Sequence, residues 1–333
     1  PEISAILCHH RGDFIYKAVE SIKSSVNVTF EIIVITSDDE LAIKGIQGCF
    51  VVNSYGGPAE KRNIGATLAK GEHLAFFDDD VEVEIYCLYK LLHSFRVKED
   101  IGMVYGKLYN MEHRNRFDEA GGFLTKTGFI WSRAGQNEID RGQYNTYETI
   151  FSGKSASCMI RADVFNEVGG FDEDFWILGE ESDLAWRVWL FGRLVLWNPF
   201  AVAYHAFNTK WKPAKEFYTS KRVHYNGCRN YITMLYKNLE TRNLWKILPI
   251  HILIWFGAGI AMVIAGKVKA GVNILRGIWY CLANFQYLTR KRRKVQEKRV
   301  LSDKELFPYI FKNSTRGYYK QRFLRYITLG LHG

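Results

Sequence analysis

The sequence has no paired cysteines of the kind that hold zinc ions or build disulfide frameworks. Its six cysteines are scattered along 333 residues, and none forms a Cys-x-x-Cys pair. We therefore expect reduced thiols in a cytosolic protein, with neither a zinc site nor a disulfide scaffold. Internal repeats and low-complexity segments are also missing, and the amino terminus shows only a strand-length apolar run rather than a secretory signal. The length allows one large domain with an appendage, or two domains.

Acidic residues are fewer than basic residues in this sequence. The formal net charge is +10 and the isoelectric point is near 9.2, which favours anionic partners such as nucleotide phosphates, nucleic acid or an acidic membrane surface. Basic residues are concentrated after about residue 210, and the run Arg290–Lys294 stands directly beyond an apolar region. This position favours a membrane surface, and we expect no nucleic-acid partner.

The first hundred residues alternate short apolar runs with amphipathic segments. Strands that alternate with helices imply a mostly parallel, doubly wound sheet, so we predict an α/β fold with a nucleotide-binding first half. The predicted strands are Ile3–Cys8, Glu31–Ile35, Cys49–Asn53 and Leu74–Phe77, and the predicted helices are Asp13–Ser24 and Pro58–Ala69. Further on, we predict strands over 102–108 and 153–161, a helix over 163–168, and surface loops with a hairpin over 110–145.

Three consecutive carboxylates, Asp78-Asp79-Asp80, follow the apolar strand Leu74–Phe77. Such a strand delivers the cluster to the carboxyl edge of the sheet, where open α/β sheets bind ligands. Like charges at this density need a counter-charge, and Mn²⁺ or Mg²⁺ suits carboxylate oxygens. The alternative is an acidic turn that caps the next helix.

A second acidic cluster, Glu180, Glu181 and Asp183, opens a predicted helix. Acids at a helix amino terminus are favoured by the macrodipole, so simple capping is one interpretation. Three acids exceed what a cap needs. Beside other acids, one of these carboxyls could keep a raised pKa and act as a general base.

The carboxyl-terminal third contains an uncharged stretch of spanning length, Ile247–Gly266. Basic residues flank it on both sides, which argues against a single span. A hairpin or an in-plane helix, with Val268–Leu288 as its partner, satisfies both flanks. The alternative is a pair of buried helices in a soluble protein.

Taken together, the motifs resemble family 2 glycosyltransferases of the GT-A fold, closest to a rhamnosyltransferase-like branch. The resemblance runs from Ile3 to about Leu306. It is carried by Arg62-Asn63-x-Gly65, Lys70-Gly71-Glu72, Phe77-Asp78-Asp79-Asp80, Gly169-Gly170-Phe171-Asp172, Gly179-Glu180-Glu181-x-Asp183-Leu184-x-x-Arg187, Arg229-Asn230, Lys237-Asn238, Lys291-Arg292-Arg293 and Ser302-Asp303-x-Glu305-Leu306.

The resemblance implies a metal-dependent, inverting transferase of the hexosyl or rhamnosyl type. Asp78 and Asp80 would form the metal-binding DXD element, and His205 would supply a further ligand. A divalent cation, Mn²⁺ or Mg²⁺, would grip the diphosphate of the donor, with Arg62 and Asp79 nearby. Glu181 stands where many members carry the catalytic base, with Asp183 as the competing choice. The base would deprotonate an acceptor hydroxyl for one displacement, without a covalent intermediate.

Two loops depart from the family pattern. Family members usually carry an Asp just after the second strand, where it recognises the nucleotide base; here Asp38 or Asp39 could substitute. The resemblance implies a UDP- or dTDP-sugar as donor, and this departure leaves the choice between uracil and thymine open. The first loop reads His9-His10-Arg11, and Arg11 could face the nucleotide. The paired histidines could instead suggest a metal, but with no further ligand nearby we favour nucleotide contact.

The predicted organisation is a catalytic domain over 1–215, with a nucleotide-binding half (1–100) and an acceptor half (101–215), and a helical, membrane-associated region over 216–333. The enzyme would work on the cytoplasmic face of a membrane on a glycan or lipid-linked acceptor. Two rivals are an inactive, membrane-attached carbohydrate-binding or scaffold protein and a haloacid-dehalogenase-type phosphatase, whose Asp-x-Asp signature Asp78-x-Asp80 also fits.

Overall fold

The computed structural model describes residues 1–10, 12–135, 137–207 and 221–312. It has the predicted α/β architecture, with helices on both faces of a central sheet. Its strands are β1 (Ile3–His9), β2 (Phe30–Thr36), β3 (Phe50–Asn53), β4 (His73–Asp78), β5 (Val81–Val83), β6 (Ile101–Asn110), β7 (Phe117–Glu119), β8 (Gly122–Leu124), β9 (Ile130–Ser132), β10 (Glu148–Thr149), β11 (Ser157–Arg161) and β12 (Leu194–His205). The strands predicted from the first hundred residues are all present.

The helices fall into a short set on the sheet and a longer carboxyl-terminal set. The first six are α1 (Phe14–Lys23), α2 (Asp39–Lys44), α3 (Pro58–Leu68), α4 (Cys87–Ser94), α5 (Ala162–Val168) and α6 (Glu180–Leu190). The others are α7 (Lys221–Asn238), α8 (Thr241–Ile264), α9 (Val268–Ala283), α10 (Phe285–Lys298) and α11 (Asp303–Ile310).

The main sheet has the order β10-β12-β6-β11-β4-β1-β2-β3, with β5 beside β12 and β7 beside β6. Strands β1 to β4 are parallel to their neighbours within this group, and β12 is parallel to β6. Strand β11 runs antiparallel between β4 and β6. The sheet is therefore mostly parallel, with the reversed β11 joining its two halves.

Close packing explains two glycines of the sequence motifs. A Cβ atom on Gly65 would lie 2.4 Å from Cγ2 of Ile6, so only glycine lets α3 approach β1 this closely. A Cβ atom on Gly71 would lie 2.5 Å from the backbone nitrogen of Ser4. Gly65 therefore sets the depth of α3, the helix that carries Arg62, on the sheet, and Gly71 lets the turn between α3 and β4 lie against β1.

The register of the sheet brings its functional residues to one edge. Cys8, near the end of β1, lies opposite Asp78 at the end of β4. Strand β5, which follows the acidic cluster directly, pairs with β12 so that Val81 faces His205. The acidic cluster and His205 therefore meet at the carboxyl edge, although they are far apart in sequence.

The carboxyl-terminal helices share a core with the sheet. Trp186 and Trp189 of α6 pack in one buried cluster with Leu235 of α7, Val295 of α10 and Leu306 of α11. The hydrophobic core on this face of the sheet is therefore not closed without these helices. The predicted boundary between 215 and 216 lies outside the described residues.

Helices α8 and α9 form a hairpin whose outer surface is apolar. Gly259 and Gly271 allow the helices to touch, since a Cβ atom on Gly271 would lie 2.5 Å from the carbonyl oxygen of Gly259. Helix α8 is long and apolar enough to cross a membrane, and 28% of its most apolar window is buried. Trp245, Leu253 and Ile264 are 74%, 68% and 80% exposed. The two predicted segments pack on each other as a hairpin, but the second segment is divided into α9 and α10. The exposed side chains favour an apolar outer surface over the alternative of two buried helices.

Candidate active site

Asp78, Asp80 and His205 converge at the carboxyl edge of the sheet. Nε2 of His205 lies 3.3 Å from Oδ1 of Asp80 and 4.0 Å from Oδ2 of Asp78. One ligand atom from each residue lies within 4.8 Å of the others. Two carboxylates and one imidazole form a donor set that a divalent cation accepts, so the three predicted ligands could hold one ion.

Asp118 and Lys154 fix the ring of His205. Nδ1 of His205 is 2.8 Å from Oδ2 of Asp118, and Nζ of Lys154 donates to both oxygens of Asp118 at 2.7 and 2.8 Å. Burial disfavours the charged imidazolium, but the carboxylates of Asp80 and Asp118 outweigh it and raise the pKa of His205 to about 10. Because Nδ1 is engaged, Nε2 is the nitrogen that faces the carboxylates, and a bound cation would replace its proton.

Arg62 links the two acidic clusters. Its buried guanidinium donates to Oδ1 of Asp78 at 2.8 Å and to Oε1 of Glu180 at 3.3 Å. Its Nε is buried and has no hydrogen-bond partner among the described residues. The fixed positive charge between Asp78 and Glu180 offsets the repulsion of acids from β4 and α6.

Glu181 lies in the first turn of α6, beside Glu180. Burial and the negative charge of Glu180 raise the pKa of Glu181 well above the usual range. Its residue surface is nevertheless partly exposed, and its backbone carbonyl accepts a hydrogen bond from the hydroxyl of Tyr105 at 3.3 Å. A partly exposed carboxyl with a raised pKa has the properties of a general acid or base.

Asp183 is in a different environment. It is fully buried, and it accepts hydrogen bonds from Nε of Arg187 at 3.0 Å, Nζ of Lys237 at 2.8 Å and Nδ2 of Asn238 at 2.9 Å. A carboxylate with these partners has no surface on which to meet an acceptor hydroxyl. Of the two predicted candidates for the base, the geometry therefore favours Glu181 over Asp183, and the assignment stays a prediction.

The predicted nucleotide contacts lie along the ends of β1, β2 and β4. Asp38 caps α2 by accepting from the backbone nitrogen of Leu41 at 3.1 Å. Asp39 is exposed and accepts from Tyr55 and Asn53, both at 2.5 Å. Asp38 is half-buried whereas Asp39 is exposed, so Asp39 is the more accessible of the two to a ligand. Arg11 lies outside the described residues.

The paired histidines join neighbouring strands. His9 is buried and its Nδ1 is 2.8 Å from Oγ1 of Thr36, while Nδ1 of His10 is 2.8 Å from Oγ of Ser37. The backbone nitrogen of His10 also donates to Asp79 at 3.3 Å. Neither ring belongs to the candidate metal group, which agrees with a role in shaping this loop.

Sequence reasoning missed three buried or half-buried charges at this site. Asp118 falls in the segment 110–145, which was interpreted as surface loops. Lys154 lies at the start of the predicted strand 153–161, and Lys61 stands directly before Arg62. Lys61 donates to the carbonyl of His9 at 2.6 Å and to Oγ of Ser37 at 3.1 Å. Its position one residue before Arg62, on a helix that meets the carboxyl edge, was the available signal.

Residues 5–169 match the model of the family described as "Glycosyl transferase family 2". This part of the chain belongs to that family. The predicted resemblance to family 2 glycosyltransferases is confirmed, while the rhamnosyltransferase-like branch stays a prediction. The match ends before Glu181 and His205.

The curated relatives that the chain matches are distant. It is 27% identical over 218 residues to "Inactive polypeptide N-acetylgalactosaminyltransferase-like protein 5" of Macaca fascicularis, covering 58% of this chain and 48% of the relative. It is 28% identical over 173 residues to "Pre-mycofactocin glycosyltransferase" of Mycobacterium tuberculosis, covering 49% of this chain and 33% of the relative. The chain thus spans half or less of the length of these relatives.

A solved structure gives the fold. The chain is similar to GalNAc-T7, crystallised with UDP, GalNAc and Mn²⁺, with a TM-score of 0.56 at 16% identity, covering 85% of this chain and 57% of that one. The predicted GT-A fold is therefore confirmed. In this fold β4 is preceded by three strands, so the phosphatase rival, which needs its Asp-x-Asp signature on the first strand, finds no support.

Proposed function

We propose that this protein is an inverting glycosyltransferase that moves a sugar from a nucleotide-diphosphate donor to a glycan or lipid-linked acceptor. One observation carries the proposal: Arg62 joins a candidate metal group to a pair of glutamates with a raised pKa. A cation-binding group for the leaving diphosphate and a base for the acceptor are the two parts that a single displacement needs. Both lie at one edge of a family 2 fold.

The metal group fits Mn²⁺ better than Mg²⁺. Asp78 and Asp80 supply oxygens that suit either ion, but His205 supplies a nitrogen, and Mg²⁺ prefers oxygen ligands. When bound, such an ion neutralises charge on the diphosphate leaving group. The presence of Mn²⁺ with UDP in the GalNAc-T7 structure supports this choice.

The nucleotide would lie across the ends of β1, β2 and β4. Asp39 is exposed there, Asp79 stands between Asp78 and Asp80 in the chain and accepts from the backbone of His10, and Lys61 donates to the carbonyl of His9. We propose a UDP- or dTDP-sugar, with Asp39 toward the base and with Arg11 as a further contact.

Glu181 would accept the proton of the acceptor hydroxyl, which attacks the anomeric carbon on the face opposite the leaving diphosphate. Inversion follows because there is one displacement. Asp183 and Lys237 would hold α6 in place during this step, since both are buried in its supporting contacts.

The acidic limb of the rate profile tests this assignment. We expect kcat to rise with pH as Glu181 loses its proton, with a midpoint well above the ordinary pKa of a glutamate, because burial and Glu180 raise the pKa of Glu181. In Glu180→Gln the neighbouring negative charge is gone while Arg62 remains, so the limb should move to lower pH. Initial rates of transfer, measured as a function of pH, give the midpoint of the limb in the unmodified protein and in Glu180→Gln. An unshifted limb in Glu180→Gln would assign the titration to another group.

The donor can be identified directly. We expect the purified full chain, with Mn²⁺ and candidate acceptors, to consume one nucleotide-sugar from a panel of UDP-, dTDP- and GDP-sugars, as followed by mass spectrometry. Chelation should stop the reaction. A relative is named inactive, so binding of sugars without consumption of any donor would favour the carbohydrate-binding alternative.

We further propose that the α8–α9 hairpin attaches the protein to the cytoplasmic face of a membrane. Exposed apolar side chains continue from α8 across Trp279 and Leu282 of α9 to Phe285 of α10. Aromatic residues prefer the membrane interface, and an apolar surface of this kind is unusual on a soluble monomer. A lipid-linked acceptor would be presented at this surface. The catalytic (1–215) and membrane-associated (216–333) division stays part of this proposal.

The basic run of α10 contributes less to this attachment than its sequence suggests. Lys291 is paired with Asp172 and Asp174, and Arg292 donates to the carbonyls of Tyr236 and Leu239. Arg290, Arg293 and Lys294 are exposed. Only these last three are free to meet anionic head groups without disturbing the fold.

We therefore expect the triple reversal of Arg290, Arg293 and Lys294 to Glu to weaken binding to anionic vesicles at low salt. The loss should be roughly fivefold for each charge, from about 1 kcal/mol per basic residue near the surface, and should shrink as salt increases. Flotation with liposomes measures it.

Reversal of Lys17, Arg96 and Lys98, which are exposed on the amino-terminal half, is the matched control and should change binding little. A full chain that stays soluble without detergent and fails to float with anionic liposomes would rule out membrane attachment.

A further inference from the structure

The loop that leads into Glu180 and Glu181 has an unusual backbone. Leu178 has φ 73° and Gly179 has φ 90°. A leucine in the left-handed region is rare, because its Cβ crowds the backbone there. Since Glu181 follows Leu178 by three residues, the contacts that hold Leu178 in this conformation also determine the position of Glu181.

Asn230 of α7 holds this loop. Its side-chain amide donates to the carbonyl of Ile177 at 2.9 Å and to that of Leu178 at 2.7 Å. Its own oxygen accepts from Nε of Arg229 at 2.9 Å, which orients the amide so that its two N–H groups face the loop. Asn230 is 1% exposed, so the contacts form away from water and losing them leaves two carbonyls without these donors.

Ion pairs from the same helices hold both ends of the loop. Lys237 of α7 bridges Asp172, where the loop begins, at 2.6 Å and Asp183, one turn into α6, at 2.8 Å. Lys291 of α10 pairs with Asp172 at 2.5 Å and also with Asp174. The carboxyl-terminal helices thus grip the loop before, within and after its left-handed turn.

We propose that Asn230 is a positioning residue that places Glu181 for proton transfer, with Lys237 as its supporting partner. The inference rests on the proposed role of Glu181 as base. The carboxyl-terminal helices would then position Glu181 for the reaction in addition to attaching the protein to the membrane. The described contacts of Asn230 involve only this loop and Arg229, whereas the donor contacts come from β1, β2, α3 and β4. Loss of Asn230 should therefore affect the transfer step and spare donor binding.

The experiment compares Asn230→Ala with Asn243→Ala in the full chain. Asn243 also joins two carboxyl-terminal helices, through a hydrogen bond to Asp303 at 2.9 Å, but it does not touch the loop. For Asn230→Ala we expect kcat to fall by roughly 10- to 100-fold, because small misplacements of a reacting group carry costs of that order. The donor dissociation constant, from calorimetry, should change less than about twofold. Asn243→Ala should retain kcat.

A rescue variant separates positioning from general loss of structure. Asparagine tolerates the left-handed region, so Leu178→Asn added to Asn230→Ala should recover part of the lost kcat. If Asn230→Ala does not fold, Asn230→Ser, which retains a hydroxyl donor, takes its place in the comparison of kcat with Asn243→Ala.

The possible failures are distinguishable. Unchanged kcat in Asn230→Ala and Asn230→Ser, with Glu181→Gln inactive, would overturn the role of Asn230 and leave the proposed function standing. A loss of donor affinity as large as the loss of kcat would overturn it too, because the loop would then act on donor binding. Full transfer activity of Glu181→Gln would contradict both the proposed role of Glu181 as base and the inference about Asn230.

Discussion

Glu181→Gln should lose sugar transfer by roughly 10²- to 10⁴-fold in kcat, the usual contribution of a general base. Glutamine keeps the size and hydrogen bonding of the side chain, but it cannot accept a proton. The nucleotide contacts and Asp78, Asp80 and His205 are untouched, so donor binding should remain. Transfer assays at saturating donor, with nucleotide binding measured by calorimetry, give both quantities.

Asp183→Asn is the comparison that separates chemistry from stability. Asp183 is buried against Lys237 and Arg187, and removing one partner from a buried ion pair costs about 3–5 kcal/mol. We expect a large loss in the free energy of unfolding and a smaller loss in kcat per folded molecule. An active Glu181→Gln together with a folded but inactive Asp183→Asn would reverse the assignment.

Asp80→Asn should weaken Mn²⁺ binding and lower turnover by at least about 100-fold, since even outer-shell changes at metal sites cost 10–100-fold. Asp80 is 5% exposed, and its Oδ1 faces Nε2 of His205 at 3.3 Å. The fold should survive, because Asp118 still engages His205 and Arg62 still engages Asp78. Asp78→Asn should act in the same direction. Calorimetric titration with Mn²⁺ measures the affinity independently of turnover.

Asp163→Asn is a matched control, because Asp163 has a side chain that is 61% exposed and pairs with Arg161 away from the metal group. It should retain metal affinity. If Asp78→Asn and Asp80→Asn both keep full activity in chelator-treated buffer, the metal assignment is wrong.

The local hydrophobic pattern of the sequence was sufficient to predict most strands and helices in the first half of the fold. The strands around Ile3–Cys8 and Leu74–Phe77 are continuous apolar runs, and their buried position in a parallel sheet follows from that composition. Helices α2 and α4, of six and eight residues, were not predicted, since so few residues show little periodicity. The equally short α5 was predicted because Gly169-Gly170 marks its end. The reversed strand β11 was predicted as a strand, but its direction depends on pairing that no local pattern records.

The site divides in the same way. Asp78, Asp80 and Glu181 lie in dense acidic motifs, so they can be predicted from the sequence. Asp118 is a single acid in a polar segment, and its contact with His205 depends on the meeting of β7 and β12. The basic run at Lys291 was interpreted as facing a membrane surface, because its partners Asp172 and Asp174 lie more than a hundred positions away in the chain.

The core shared by α6 and the carboxyl-terminal helices bears on how the protein can be prepared. A chain cut near residue 215 would lose Leu235, Val295 and Leu306, and the tryptophans of α6 would face water. It would also lose the ammonium group that neutralises Asp183. Trimming the tail is thus an unsuitable route to a detergent-free sample. Polar replacement of outward side chains such as Trp245, Leu253 and Ile264 would reduce hydrophobic association between molecules and leave the buried core unchanged.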